Sequence, residues 1–147
     1  MNQPAAIGTA TAKGQNLSIS TKHCIEICSW LRYRTTVQAK RLLNEVMHKK
    51  QAVPFKRFKR NVGHKPGMAA GRYPMKATQA VLQLIAAVEA NAQFKGLSTG
   101  QLKIVKILAN RAAVPFTGGR RFRKTKRTHL EITVKEKKEQ KVEKKSK

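Results

Sequence analysis

Two stretches of this chain, residues 53–73 and 110–129, carry thirteen Lys or Arg side chains between them and no acid. Acid-free basic stretches of this kind, each with glycines and aromatics, look like binding arms. The first stretch holds Lys56, Arg57, Lys59, Arg60, Lys65 and Arg72; the second holds Arg111, Arg120, Arg121, Arg123, Lys124, Lys126 and Arg127. Across all 147 residues, 32 Lys and Arg stand against 7 Asp and Glu, a net charge of +25. The two stretches thus hold 13 of the 25 excess charges, where a solubilising surface would mix both signs. A chain this basic repels itself unless a polyanion neutralises it, which points to nucleic acid or an acidic membrane surface.

The remaining segments read as elements. Residues 1–15 are small and polar and are expected to form a mobile arm. Residues 16–20 (NLSIS) suggest a short edge strand, and Ser20 or Thr21 supplies a helix cap. Cys24, Ile27, Cys28 and Leu31 recur at helical spacing, predicting a helix over residues 21–31. Thr35 and Gln38 have capping-box spacing ahead of Ala39, Leu42, Leu43 and Val46, so a second helix starts near Thr35 and ends near Lys50, before Pro54. A third and longest helix opens at Pro74, buries Ala77, Val81, Leu84, Ile85, Val88 and Ala92, and stops at Gly96. Residues 102–109 (LKIVKILA) read as a strand without strict alternation. Leu130, Ile132 and Val134 alternate with polar neighbours as a half-buried strand. Between these two strands the second basic stretch, with Gly118–Gly119 as its turn, reads as a hairpin over about 110–129. The first basic stretch, punctuated by Gly63, Gly67, Gly71, Pro54 and Pro66, reads as a loop that orders on binding. A Lys/Glu tail, residues 137–147, is expected to stay disordered. One globular domain, residues 16–136, results.

Chemistry other than binding finds little support. Cys24 and Cys28 share a helix face and read as packing, not as half of a zinc site. His23, His48, His64 and His129 lack metal-site spacing, and no phosphate loop is present. The acids fall singly and read as ion-pair partners, and Ser29 and Ser98 have no nucleophile context. No signal peptide or membrane span is evident, which points to a reducing, intracellular setting. The expectation is therefore no enzyme, no cofactor and no metal. RNA suits the basic stretches: Lys and Arg neutralise phosphates, and Phe55, Phe58, Tyr73, Phe116 and Phe122 lie among them for stacking on unpaired bases. A free-standing nucleic-acid binder, a nucleic-acid enzyme and a membrane-surface binder are the alternatives. The last would need a basic amphipathic helix, and the third helix is poor in Lys and Arg.

The residues also carry a resemblance. Val53-Pro54-Phe55-Lys56, Val62-Gly63-His64-Lys65, Ala70-Gly71-Arg72-Tyr73-Pro74 and Lys76-Ala77 follow one another in an order that resembles the universal large-subunit ribosomal protein family numbered twenty-two in bacteria and seventeen in eukaryotes, in its archaeal and eukaryotic form. Asn91-Ala92, Lys95-Gly96-Leu97, Leu102-Lys103-Ile104, Ser18 to Ile27 and Thr128-His129-Leu130-Glu131-Ile132 extend it over roughly residues 12–136. The resemblance implies an α+β fold, three helices packed on a small antiparallel sheet with a projecting basic β-hairpin. It implies a cytoplasmic, ribosome-bound structural protein whose partners are large-subunit ribosomal RNA and neighbouring large-subunit proteins, with no membrane and no homo-oligomer. It implies support of subunit assembly and a hairpin tip that helps line the nascent-peptide tunnel. His64 joins the thirteen cations as an expected RNA contact. The family's Pro-Arg-Ala-x-Gly-Arg stretch at the inner end of the hairpin is matched only in part by Pro115-Phe116-Thr117-Gly118-Gly119-Arg120, and the hairpin looks several residues short. At about 3.3 Å per residue per arm, the expected consequence is a blunted tip.

Overall fold

The computed structural model describes residues 8–117 and 123–137. Three helices form where apolar periodicity places them. Helix α1, Thr21–Leu31, buries Cys24, Ile27, Cys28 and Leu31. Helix α2, Thr36–Met47, is capped by Thr35, whose hydroxyl accepts from the Gln38 amide at 3.3 Å. It buries Ala39, Leu43 and Val46. Helix α3, Met75–Phe94, buries all six apolar positions expected of it, with Pro74 as its cap residue.

Two of the helices end in the same way. After α3, the Gly96 amide donates to Gln93 at 2.9 Å and the Leu97 amide to Ala92 at 3.0 Å, with Gly96 at φ +71°. This double bond satisfies carbonyls that the helix leaves open and requires a left-handed residue, which glycine supplies without strain. After α2 the same pair of bonds forms from Lys49 to Val46 and from Lys50 to Glu45. There the left-handed residue is Lys49, at φ +58°. The helix therefore stops at Met47, short of the expected Lys50, and Pro54 plays no part in ending it.

The main sheet has three antiparallel strands in the order β1–β8–β5: β1 is Thr9–Leu17, β5 is Leu102–Arg111 and β8 is Thr128–Glu136. Residues 9–15, expected in a mobile arm, instead belong to β1, which pairs with β8 from Thr9 opposite Lys135 to Gly14 opposite Leu130 before its register shifts ahead of Leu17. Residues 18–20, expected in a short strand, lie outside it. Pairing to the open edge of β8 satisfies the backbone of a segment whose alanines have little strand preference of their own. Residues 1–7 and the tail residues 138–147 lie outside the described residues.

Strand β5 fails to alternate for a local reason. Its register against β8 slips between Ile104 and Lys106, so that Val105 and Lys106 both face outward while Leu102, Ile104 and Ile107 are buried. A bulge of this kind inserts one extra residue and shifts the inward set by one place. In β8, Leu130, Ile132 and Val134 are buried, as the alternation requires.

The first basic stretch is not an open loop. Three short strands, β2 (Val53–Pro54), β3 (His64–Lys65) and β4 (Met68–Arg72), form a second antiparallel sheet in the order β2–β4–β3. Space is tight at Gly71: a Cβ on it would sit 2.9 Å from the Met68 sulfur and 3.0 Å from Lys65 Cγ, so those side chains would have to shift. In the second stretch, β5 and β8 remain paired to Arg111 opposite Thr128. The short strands β6 (Phe116–Thr117) and β7 (Arg123–Lys124) pair beyond them, as hairpin arms do. The hairpin tip, residues 118–122, falls outside the described residues.

The helices cover the sheet, α3 packing on β1 and β8 and α1 on β5, while α2 packs on α3. A single cluster of buried apolar side chains runs from Ala10 in β1 to Val134 in β8. Cys24 and Cys28 are buried within it, and desolvation pushes both thiols up to about 12. The α3 stripe is the largest helical contribution, so Leu84→Ala should cost about 2–5 kcal/mol of stability. Urea unfolding of the variant, with its slope unchanged, measures this.

Candidate nucleic-acid interface

The geometry of the first basic stretch is set by a carboxylate. Glu26 sits on α1 among Cys24, Ile27 and Cys28 and is 2% exposed. Among the described residues it forms no ion pair. Its oxygens accept three successive backbone amides: Lys56 to Oε2 at 3.0 Å, Arg57 to Oε1 at 3.0 Å and Phe58 to Oε1 at 2.7 Å. Hydrogen bonds to an ionised acceptor are the strong ones, and three of them replace the water a buried carboxylate gives up. The backbone from 56 to 58 is thereby wrapped around one anion, and its cationic side chains are left to point elsewhere. Immediately after, Lys59 reverses the chain at φ +56°, a left-handed conformation that costs a non-glycine residue about 1–2 kcal/mol.

The cations of both stretches then gather around α1 in shallow clefts. One cleft, of about 520 Å³, is lined by His23, Lys49, Lys65, Arg72 and Tyr73. A second, of about 530 Å³, is lined by Lys22, Lys59, Arg111, Lys126 and Arg127 together with Ile25, Phe58 and Val114. A third contains Trp30, Arg34, Lys56 and Arg60, and a fourth Arg32, Lys56 and Arg57. The second cleft is where the two stretches meet, since Lys59 comes from one and Arg111, Lys126 and Arg127 from the other. His64 is exposed on β3, its strand paired to Ala70. Arg120 and Arg121 lie outside the described residues, and Arg123 and Lys124 are placed through the backbone of β7.

Among the described residues, the acid that lines any of these clefts is Glu26, at the fourth, and its oxygens are taken by backbone amides. The ion pairs among the described residues are Lys40 with Glu89, Arg41 with Glu45 at 3.5 Å and Lys106 with Glu131 at 3.3 Å. None of these cations belongs to either basic stretch. Glu136 accepts the Ser98 amide at 3.1 Å. The expected ion-pair role thus holds for Glu45, Glu89 and Glu131 but not for Glu26.

The aromatic side chains divide between core and cleft. Phe55 is 3% exposed and packs edge-on against His23 with ring centroids 5.5 Å apart, so it belongs to the core and is not a stacking surface. Phe58 has Lys22 Nζ and the Arg57 guanidinium 5.7 Å and 5.2 Å from its ring centre, and Tyr73 has Lys65 Nζ at 5.5 Å. Such contacts hold a ring and a cation in fixed relation. Phe116 is exposed, and Phe122 lies outside the described residues.

Comparison with known proteins agrees with the residue pattern. A family model described as ribosomal protein L22p/L17e matches residues 12–138. The chain belongs to that family. The large ribosomal subunit protein uL22 of Methanoculleus marisnigri is 43% identical over 136 residues, spanning 86% of this chain and 89% of its own. Those of Methanocella arvoryzae and Archaeoglobus fulgidus are 42% and 43% identical over 109 and 108 residues, spanning 72% and 71% of this chain and 71% and 70% of their own.

For this member of the L22p/L17e family, reading charge runs finds Lys56–Arg72 and Arg111–Arg127 but misses Lys22, Arg32, Arg34 and Lys49. Those four lie outside both stretches, on α1 or just past the ends of α1 and α2, and only the fold carries them to the clefts. Lys22 was findable as an outward position on an otherwise predictable helix. Among the described residues no group of His, Cys, Asp and Glu is placed to hold a metal ion.

Two outcomes test this geometry. Glu26→Gln removes the charge from the three-amide clamp and should cost about 1–3 kcal/mol. Amide exchange at Lys56, Arg57 and Phe58 should quicken ahead of the core. His23 has its pKa lowered, first by desolvation and then by Lys59, Lys126 and Arg72. The unfolded chain therefore takes up the proton first. The stability tied to His23 is full above the unfolded value of 6.5 and is lost as pH falls below it. His23→Gln should flatten the acid-side fall of the thermal midpoint below that pH.

Proposed function

We propose that this chain is a structural constituent of the large ribosomal subunit, bound there to ribosomal RNA through the clefts around α1 and through its basic hairpin. The observation that carries the reading is the meeting of both acid-free stretches in one cleft, at Lys59, Arg111, Lys126 and Arg127, in a chain of the L22p/L17e family. Cations without carboxylate partners gain most from a polyanion, and counterion release gives affinity without sequence reading. The relatives' printed name, large ribosomal subunit protein, supports the same assembly and a place on cytoplasmic ribosomes.

In this reading Lys56, Arg57, Lys59, Arg60, His64, Lys65 and Arg72 contact RNA from the second sheet and its loop. Arg111, Arg120, Arg121, Arg123, Lys124, Lys126 and Arg127 contact it along the hairpin. The hairpin tip contributes to the wall of the nascent-peptide tunnel, from a position withdrawn by its shorter arms. Neighbouring large-subunit proteins are its other partners. The chain acts as one copy per subunit, without enzymatic chemistry or cofactor. No described helix is long and apolar enough to cross a membrane.

The test is crosslinking in cells followed by sequencing of the attached RNA. Crosslinks concentrated in large-subunit ribosomal RNA, from peptides spanning Lys56–Arg72 and Arg111–Arg127, are expected. Crosslinks scattered over messenger RNA would instead mark a free-standing RNA binder. In vitro, Arg120→Ala, Arg121→Ala and Arg123→Ala combined should lower the salt slope of RNA binding by about 2–3, at close to one unit for each phosphate no longer neutralised.

A further inference from the structure

We propose that the cleft between α1, the Lys59 turn and the hairpin base seats a single unpaired nucleotide, its phosphate on the cations and its base on the apolar wall. The inference rests on the RNA-binding reading above and specifies what one of its sites takes. The cleft has three properties that together select such a ligand. Its volume, about 530 Å³, falls in the range of small-molecule sites. Five cations line it, Lys22, Lys59, Arg111, Lys126 and Arg127, drawn from four separate segments. Ile25, Phe58 and Val114 line it as well.

A phosphate alone would use the cations and leave the apolar side chains facing water. A paired duplex presents phosphates and groove edges but no free base face. An extrahelical nucleotide presents both an anion and a flat apolar surface a few ångströms apart, which is the pairing that single-strand binders exploit.

The donors are preset. Arg127 donates from Nη1 to the Asn16 carbonyl at 3.3 Å, which pins its guanidinium. Its Nε is a buried donor without a partner among the described residues. Ser20 and Thr21, at the start of the eleven-residue helix α1, also line the cleft. Ser20 makes no side-chain cap bond there and the first turn holds no acid, so the amides of that turn add to the field felt by an anion. The wall is fixed too. Lys22 and Arg57 hold the Phe58 ring, and Glu26 holds the Phe58 amide at 2.7 Å. The base meets a surface already in place.

The experiment uses the full chain and three RNA hairpins that differ at one position: a bulged adenosine, the same bulge without its base, and no bulge. The wild type should bind the bulged adenosine about 10-fold tighter than the abasic bulge, the size of effect that one stacked base gives. Val114→Ser, a substitution in a connecting segment, should bring that ratio below about 2-fold while leaving the salt slope as it was. Phe58→Ala should do the same, and thermal melts of both variants confirm that they fold. Lys126→Ala should weaken binding to the bulged and abasic RNAs together, keeping their ratio. A wild-type ratio near one overturns the proposal while leaving RNA binding intact, because the cleft would then hold backbone only. Absence of binding to any of the three RNAs would overturn the RNA-binding reading and this proposal with it.

Discussion

The arrangement of the basic surface depends on one buried carboxylate. Glu26 is the acid least expected to matter from the sequence, a single charge on the apolar side of a short helix. Burying it without a cation is tolerable only because three amides in a row point at it. The consequence reaches beyond α1. A stretch with Lys56, Arg57, Lys59 and Arg60 in five residues would repel itself open in isolation. Wrapped on Glu26, its backbone is held by an anion inside the protein while its side chains face outward for an anion outside. The carboxylate serves as an internal counterpart to the phosphate that the same loop is suited to meet.

The second constraint is the open edge of β8. A central strand flanked only by β5 would leave a row of backbone groups unpaired beside α3. Strand β1 fills that edge and is then tied from above by α3. Asn91 donates to the Thr11 carbonyl at 2.8 Å and Lys95 to the Thr9 carbonyl at 3.0 Å. At the far end of β1, the Asn16 amide donates to His129 Nδ1 at 3.2 Å while Arg127 takes the Asn16 carbonyl. The N-terminal strand therefore ends at the base of the hairpin and fixes one of the cations there.

How much of this was legible followed from how local its cause is. Helix α3 and strand β8 were readable because each buries a face of large apolar residues at a single period, and packing rewards that pattern directly. Strand β1 was not, because Ala10 and Ala12 are too small to mark a face and Lys13 and Gly14 argue against a strand. What makes it a strand is β8, more than a hundred residues away. The bulge at Val105 erased the alternation of β5 for the same kind of reason, a register set by its partner. The end of α2 was misplaced because Lys49, a residue with no stop signal, takes the left-handed turn that glycine takes after α3. At the interface, composition identified the cations of the two stretches but not the clefts. Lys22, Arg32, Arg34 and Lys49 reach those through α1 and α2, and Phe55 leaves for the core.

The pairing of charges follows a division that a +25 chain with so few acids has to make. Each described acid is engaged with the scaffold itself: Glu89 joins α3 to α2, Glu45 closes one turn of α2, Glu131 crosses from β8 to β5, Glu136 takes an amide at Ser98, and Glu26 holds the loop. Exposed pairs of this kind contribute little stability each. Their placement matters more than their strength. Had the same carboxylates stood beside Lys59, Arg111 or Lys126, they would have relieved self-repulsion in the free protein and competed with phosphate in the bound one. Keeping them on the helices and the sheet leaves the repulsion in the clefts unrelieved. It is relieved when a polyanion arrives, so part of the electrostatic cost carried by the isolated fold reappears as affinity. The pKa of His23, lowered first by burial, also registers this field, since Lys59, Lys126 and Arg72 add to the opposition to its protonation and a bound phosphate would offset their part.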